Sequence, residues 1–154
     1  IKIGDKKLHV SKEYLSVHSP VFKTLFFGDF AEKNKEEVEI KDIVYEEFLD
    51  LLHLVYFRTS ELTDRNVSHV LKLADRFQMA RIMTLCENYL KQSTGFNEMK
   101  KLIFADQYRL AFLRVLLLSA STIFLFQLLV CSTPEYDHFS ADMKVAICDR
   151  IMEL

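Results

Sequence analysis

The sequence has little of what several classes of protein require. It contains no Trp, and only three Gly and two Pro among its 154 residues. With so few glycines, neither of the phosphate-binding patterns GxGxxG and GxxxxGK[ST] occurs, which excludes the common nucleotide-binding enzymes. Half of the residues are hydrophobic, and little Gly or Pro interrupts them, so the composition favours closely packed helices.

An excess of charge of one sign is also missing. The 20 basic and 22 acidic residues are interspersed and leave a formal charge of −2. Such a chain has no strong field to attract phosphates, so we expect no nucleic-acid partner. The cysteines Cys86, Cys131 and Cys148 are odd in number and far apart, and Cys86 and Cys148 lie in helix-like apolar patterns, which favours buried thiols in a reducing compartment. The expected location is therefore the cytoplasm, the nucleus or both.

Groups arranged for catalysis are scarce. The five histidines are scattered, and neither HExxH nor CxxC occurs. Cys86 lies on the apolar face of a predicted helix, where a core thiol is expected in preference to a nucleophile. His53 lies within another predicted helix and is interpreted as a surface or packed histidine. We therefore predict a non-catalytic protein with no cofactor and no metal site.

One long uncharged run stands apart from the rest of the chain. Residues Val115 to Cys131, VLLLSASTIFLFQLLVC, contain no charged side chain. The run is either a core helix, or a strand and a helix in succession, or a membrane span. A span needs about 20 apolar residues, with a lower limit near about 17, and Ser119, Ser121, Thr122 and Gln127 are polar. Membrane insertion is therefore the less favoured interpretation.

The first 40 residues alternate between strand and helix signals. A hairpin is predicted around Gly4-Asp5, with a loop of four or five residues. Ser11 is expected to cap a short helix, and Ser19-Pro20 begins a second helix with Ser at the cap and Pro at the first helical position. Gly28 can end that helix. Val38 to Ile40 alternates cleanly and predicts a strand.

From residue 47 onwards the pattern is helical. Glu47 to Tyr56 carries apolar residues at the spacing of one helix face, and Thr63 or Asp64 is expected to cap the next helix. Asn97 and Ser140 are further predicted caps. Ser93-Thr94-Gly95 interrupts the pattern, so we predict one domain over residues 1–95 and a wholly helical extension over residues 96–154 that packs on it.

The acidic segment Phe30-Ala31-Glu32 has two interpretations. An exposed Phe beside a carboxylate is typical of an interface that a partner covers. Alternatively, Phe30 folds back on Phe26 and Phe27 as part of the core. The residues alone do not decide between the two.

Three stretches are distinctive together: SPVFKTLFFGDFAEKNKEEVEI, FLDLLHLVY and VLKLADRFQMARIMTLCENYL. They resemble one known family, the BTB (POZ) domain, and more closely the BTB half of MATH–BTB proteins. The resemblance runs from Ile1 to about Gln92. It implies an α+β fold, in which a helical cluster is flanked by a small, mostly three-stranded sheet. Residues 96–154 resemble the helical 3-box or BACK-like extension of cullin-binding members.

The resemblance also implies a function. Such proteins are adaptors that bind the N-terminal region of cullin-3 through the BTB domain and present a substrate, held by another domain, for ubiquitin transfer. The hydrophobic-x-Glu motif of the family falls on Phe30 and Glu32. Tyr56, at the end of the central helix, is a second expected contact, and Phe26 and Phe27 are expected to support the loop.

The chain departs from the family pattern in ways that affect self-association. It lacks the first strand and the leading helix that precede Ile1 in the family, and that helix supplies much of the dimer interface. Tyr14 corresponds to an apolar dimer position and Leu15 is its neighbour, so a homodimer through these residues is expected to be weakened. The apolar run 115–131 is a further departure. The alternative function is a BTB scaffolding module that self-associates without cullin.

Overall fold

A computed structural model describes residues 1–28, 37–57, 61–119 and 134–152. The chain forms two compact units, Ile1–Cys86 (unit 1) and Glu87–Leu154 (unit 2). The elements follow in this order: β1 (Lys2–Ile3), β2 (Lys6–Lys7), α1 (Lys12–His18), α2 (Pro20–Phe27), α3 (Tyr45–Tyr56), α4 (Val67–Arg76), α5 (Ala80–Gln92), α6 (Glu98–Gln107), α7 (Ala111–Ser119), a 3-10 turn (Pro134–His138) and α8 (Ala141–Met152). The predicted α+β architecture of helical cluster, small sheet and helical C-terminal part is confirmed.

The hairpin is tighter than predicted. Lys2 pairs with Lys7 and Ile3 with Lys6, which leaves Gly4 and Asp5 as a two-residue loop. Gly4 has φ +56°, the positive value that hairpin turns of this length need at their first central position. Val38 to Ile40 joins this hairpin by one isolated parallel bridge, between Lys2 and Glu39. The third strand is thus reduced to a single residue pair.

Unit 1 is organised around stacked phenylalanines. Phe22 and Phe48 are fully buried, and Phe26 and Phe77 are each 3% exposed. The ring of Phe22 stacks on Phe77 at 4.5 Å and on Phe26 at 5.5 Å, and Phe48 meets Phe77 edge-on at 5.8 Å. Aromatic pairs at these distances add to the free energy of burial. The cluster ties α2, α3 and the end of α4 into one core.

The predicted serine caps of unit 1 are confirmed. The Ser11 hydroxyl accepts from the amide of Tyr14 at 3.1 Å, and the Ser19 hydroxyl accepts from the amide of Phe22 at 3.0 Å. Each bond satisfies an amide that the helix itself leaves without a partner. The cap predicted at Thr63 or Asp64 lies later, because a turn over residues 64–66 precedes α4 and Asn66 is its N-cap.

Unit 2 contains the end of α5 and the helices α6, α7 and α8. Asn97 and Ser140 cap α6 and α8 as predicted, by accepting from the amides of Lys100 and Met143. The core includes Leu102, Leu113, Met143 and Ile147, all at most 1% exposed. In the described parts of the chain, no helix is both long and apolar enough to cross a membrane. Of the run 115–131, residues 115–119 belong to α7, and the others lie outside the described residues.

Candidate protein-interaction surface

Tyr56 is the last residue of α3, is partly exposed, and is held by contacts with the start of α1. Its hydroxyl accepts a hydrogen bond from the amide of Ser11 at 3.1 Å. Its ring stacks on the ring of Tyr14, with the centroids 4.8 Å apart and the planes 25° apart. Tyr14 and Tyr56, called the tyrosine pair below, lie in two elements that are far apart in the sequence.

Tyr14 is itself fixed from both ends. Its amide donates to the hydroxyl of the cap Ser11, and its phenol hydroxyl donates to the carbonyl of Val55 at 3.1 Å. The ring of His18, one turn later on α1, meets it edge-on at 4.7 Å. Ser11, Tyr14, Val55 and Tyr56 therefore form a closed circuit of contacts, so that the start of α1 and the end of α3 position each other.

The residues predicted to support the cullin-binding loop differ in exposure. Phe26 is 3% exposed and stacks on Phe22 in the core, whereas Phe27 is 47% exposed. Gly28 ends α2, with its amide bonded to the carbonyl of Thr24. Residues 29–36 lie outside the described residues, and these include the predicted contacts Phe30 and Glu32. Phe26 can therefore act only as internal support, while Phe27 is available to a partner.

The two residues predicted to form a dimer surface lie on different faces of α1, one buried and one exposed. Leu15 is fully buried in the core of its own chain, so it cannot contact a partner directly. This placement corrects the expectation that it faces a second protomer, and it follows from helix geometry, since neighbouring residues point about 100° apart. Tyr14 is 38% exposed, and Val17, which the prediction omitted, is 80% exposed. Tyr14 and Val17 are therefore the exposed large apolar side chains of α1.

The charged groups around the hairpin are paired. Lys6 donates to the carboxylate of Glu46 at 2.6 Å, and Lys7 pairs with Glu37. The hydrogen bond from each lysine lowers the pKa of its glutamate, and the bond to Glu46 raises the pKa of Lys6. All four side chains are more than half exposed, so solvent screens these pairs and they contribute little to stability.

The described residues bring together no constellation for catalysis. Among them, no group of three or more His, Cys, Asp or Glu is placed to hold a metal ion. Cys86 is fully buried, as predicted, and burial raises the pKa of its thiol to about 12, which suppresses the reactive thiolate. Cys148, which was also predicted to be buried, is exposed, because it follows the buried Ile147 on α8 and points about 100° away from it. His69 and Asp50 form an isolated pair 2.8 Å apart that joins α4 to α3. These groups stabilise or pack, and none is arranged as a nucleophile with its base.

Two open clefts in unit 2, of about 600 and 780 Å³, are lined by Asp106, Arg109 and Ser140. The carboxylate of Asp106 accepts from the amide of Ser140 at 2.7 Å and from its hydroxyl at 2.5 Å. That hydroxyl also accepts from the amide of Met143. Asp106 and Ser140 thus complete the cap of α8, and their short contact is structural.

Several exposed apolar side chains were missed from the sequence. Phe57, the residue after Tyr56, is 57% exposed. On α7, an apolar stripe is exposed at helical spacing, formed by Phe112, Val115 and Leu116. The signal for the stripe was present, since α7 is apolar on most of its circumference. Nothing local in the sequence indicated the tyrosine pair, because its two rings come from distant segments.

The described part of unit 1 thus holds two aromatic rings together, one from the start of α1 and one from the end of α3. A sequence model of the BTB/POZ domain matches residues 1–94. The chain belongs to the BTB/POZ family, whose domain is a protein-interaction module, and the predicted resemblance is confirmed.

Two relatives agree with the MATH–BTB type, and a third carries Kelch repeats. The chain is 35% identical to the BTB and MATH domain-containing protein 38 of Caenorhabditis elegans, over 99% of the chain and 39% of that protein. It is 39% identical to the BTB and MATH domain-containing protein 36 of the same organism, over 69% of the chain and 33% of that protein. The Kelch repeat and BTB domain-containing protein 1 of Vaccinia virus (strain Copenhagen) is 35% identical over 70% of the chain and 19% of its own length. The chain thus spans about two fifths or less of these proteins.

Proposed function

We propose that the chain is the BTB part of a substrate adaptor for a cullin-3 ubiquitin ligase. It binds the N-terminal region of cullin-3 through Phe30 and Glu32 of the hydrophobic-x-Glu loop, together with Tyr56. The observation that carries the proposal is the placement of Tyr56. Tyr56, the second contact that the resemblance implies, ends the central helix, and its hydroxyl and ring are held by Ser11 and Tyr14.

The geometry of Tyr56 suits a binding anchor. Tyr is enriched among the residues that dominate binding energies, because its ring buries a large area at a low cost in side-chain entropy. The stack on Tyr14 and the bond from Ser11 restrict the ring before any partner arrives. Less conformational entropy is then lost on binding. Phe27 is an exposed ring at the end of α2, whereas Phe26 is buried in the core and stacks on Phe22.

The remaining parts of the adaptor follow from the same proposal. Residues 1–95 form the BTB domain, and residues 96–154 form a 3-box or BACK-like extension. The substrate protein is held by a separate domain, as the MATH and Kelch names of the relatives suggest. The chain itself catalyses nothing and needs no cofactor, because ubiquitin transfer is carried out by other subunits. The cytoplasm or nucleus is the proposed location.

The test is a titration of the full chain against the purified N-terminal region of cullin-3. We expect Phe30→Ala and Tyr56→Ala each to weaken binding by about 30-fold, the effect of losing a central anchor, and Glu32→Ala to weaken it less. Tyr45→Ala is the matched control, because Tyr45 begins the same helix at its other end. Parent-like binding by both Phe30→Ala and Tyr56→Ala would refute the proposed contact.

Self-association without cullin is the second candidate function. The exposed Tyr14 and Val17 on α1 favour it, since a half-exposed aromatic beside an exposed Val forms an apolar patch. Light scattering of the parent chain measures its mass in solution. Self-association is supported in place of the adaptor function if the parent chain is a dimer that does not bind cullin-3 and Val17→Asp converts it to a monomer.

A further inference from the structure

The tyrosine pair joins two surfaces that the sequence assigns to different partners. Tyr14 lies on the helix assigned to self-association, and Tyr56 lies at the site assigned to cullin-3. Their rings nevertheless stack at 4.8 Å, and the hydroxyl of Tyr14 donates to the carbonyl of Val55, the residue directly before Tyr56. The two surfaces therefore share one pair of side chains.

We propose that Tyr14 is a positioning residue for cullin recognition, which acts by holding the Tyr56 ring in its binding orientation. The inference rests on the proposed function and deepens it. Tyr56 is the final residue of α3, and terminal helical residues fray more readily than internal ones. Its ring needs a support from outside the helix, and the described contacts of that ring are with α1 and its cap.

The contacts of Tyr14 fit a supporting role. Its hydroxyl is taken by the carbonyl of Val55 and one face of its ring is taken by Tyr56. The bond to Val55 anchors Tyr14 to the backbone of α3, so the stack cannot slide without breaking a hydrogen bond. The amide of Ser11 holds the far end of Tyr56 at its hydroxyl. Together these contacts fix both the tilt of the Tyr56 ring and the position of its tip.

The size of the effect follows from the stack. A well-formed aromatic pair corresponds to about threefold to tenfold in an equilibrium constant. We therefore expect Tyr14→Leu, which removes the stack, to weaken cullin-3 binding by about that factor. Tyr14→Phe keeps the ring and loses only the bond to Val55, so it should retain most of the affinity. Val17→Ala, on the same helix but outside the circuit of contacts, should bind as the parent does.

A double-mutant cycle separates positioning from direct contact. Binding of the cullin-3 N-terminal region is measured for the parent, Tyr14→Leu, Tyr56→Ala and the double variant, each shown to be folded by circular dichroism. If Tyr14 acts through Tyr56, Tyr14→Leu has no further effect once Tyr56 is Ala. The same substitution keeps its full effect in a Phe30→Ala background. A merely structural role would give equal losses in all backgrounds.

Three results are decisive. The inference is supported if Tyr14→Leu weakens binding, Tyr14→Phe binds nearly as the parent does, and Tyr14→Leu has no further effect in the Tyr56→Ala background. Parent-like binding by Tyr14→Leu, or a loss that persists in the Tyr56→Ala background, overturns it while the proposed function stands, provided Phe30→Ala still weakens binding. No binding by the parent chain overturns the proposed function, and the positioning role with it. Where Tyr14→Leu is unfolded, Tyr14→Val replaces it in the same cycle.

Discussion

The two units bury different kinds of polar group. Among the described residues, the buried polar side chain of unit 1 is neutral, the hydroxyl of Ser19, whereas those of unit 2 are the charged side chains of Glu87 and Lys101. Ser19 donates to the carbonyl of Phe77 at 2.5 Å and caps α2. Glu87 accepts from the amide of Leu113 at 2.8 Å, at the start of α7. Both groups complete a helix end, but by different chemistry.

The difference shows which interactions stabilise each unit. A neutral hydroxyl costs little to bury once it is bonded, so unit 1 can rely on its packed phenylalanines. A buried carboxylate costs much more to desolvate and is tolerated where it meets oriented donors, such as the amides at a helix start. Lys101 meets the same need by pairing with Glu98 at 3.2 Å. The stability of unit 1 therefore depends mainly on the packing of its phenylalanines. The stability of unit 2 depends more on the hydrogen bond and ion pair of its buried charged groups.

The largest loss is expected in the aromatic core of unit 1. Phe22→Ala removes a fully buried ring that contacts Phe26, Phe48 and Phe77, and should lower the free energy of unfolding by about 3–5 kcal/mol. Thermal unfolding followed by circular dichroism measures it. Val17→Ala, at an 80% exposed position, is the control and should leave the midpoint unchanged. If Phe22→Ala lowers the free energy of unfolding by less than about 1 kcal/mol, the stability of unit 1 does not depend on this aromatic packing.

The charged partner in unit 2 is tested at Glu87. Glu87→Leu leaves the buried amide of Leu113 without an acceptor and should cost about 1–3 kcal/mol, with faster hydrogen exchange at that amide. Glu87→Gln keeps an acceptor and should lose less. Unchanged exchange at Leu113 in Glu87→Leu would show that the carboxylate does not hold the start of α7.

The neutral partner in unit 1 is tested at Ser19. Ser19→Ala removes the cap of α2 and the donor to Phe77, with an expected cost of about 1–2 kcal/mol. Ser11→Ala removes an exposed cap of the same type and should cost less, because water can replace the lost bond. A larger loss for Ser11→Ala than for Ser19→Ala would contradict the role given to burial.

Much of this fold follows from local patterns. The caps at Ser11, Ser19, Asn97 and Ser140 are predicted by residue type alone, because a side-chain oxygen next to a helix start has few alternatives. Apolar spacing likewise places α3, which begins at Tyr45, two residues before its predicted start at Glu47. Helix ends differ by a residue or two even between assignments of one structure.

What the sequence could not predict depends on distant contacts. The capping of α7 by Glu87 and the stacking of Tyr14 on Tyr56 join segments whose approach is set by the packed fold. Leu15 follows Tyr14 directly in the sequence, and only the packing of α1 shows that Leu15 faces the core. The proposed contacts Phe30 and Glu32 stay predictions. Of the proposed site, the structure describes Tyr56 and the two residues that hold it, Ser11 and Tyr14.

The smallest effect is expected at the exposed pair Lys6 and Glu46. The hydrogen bond from Lys6 lowers the pKa of Glu46 below its ordinary value of 4.5, so any stability from the pair is complete above that pH and is lost as the pH falls below it. Both side chains are more than half exposed, and solvent screens their attraction. Glu46→Gln should therefore leave the unfolding midpoint unchanged at pH 7, in low and high salt alike. A salt-dependent drop in that variant's midpoint would show that unit 1 also depends on charge, and would remove the contrast with unit 2.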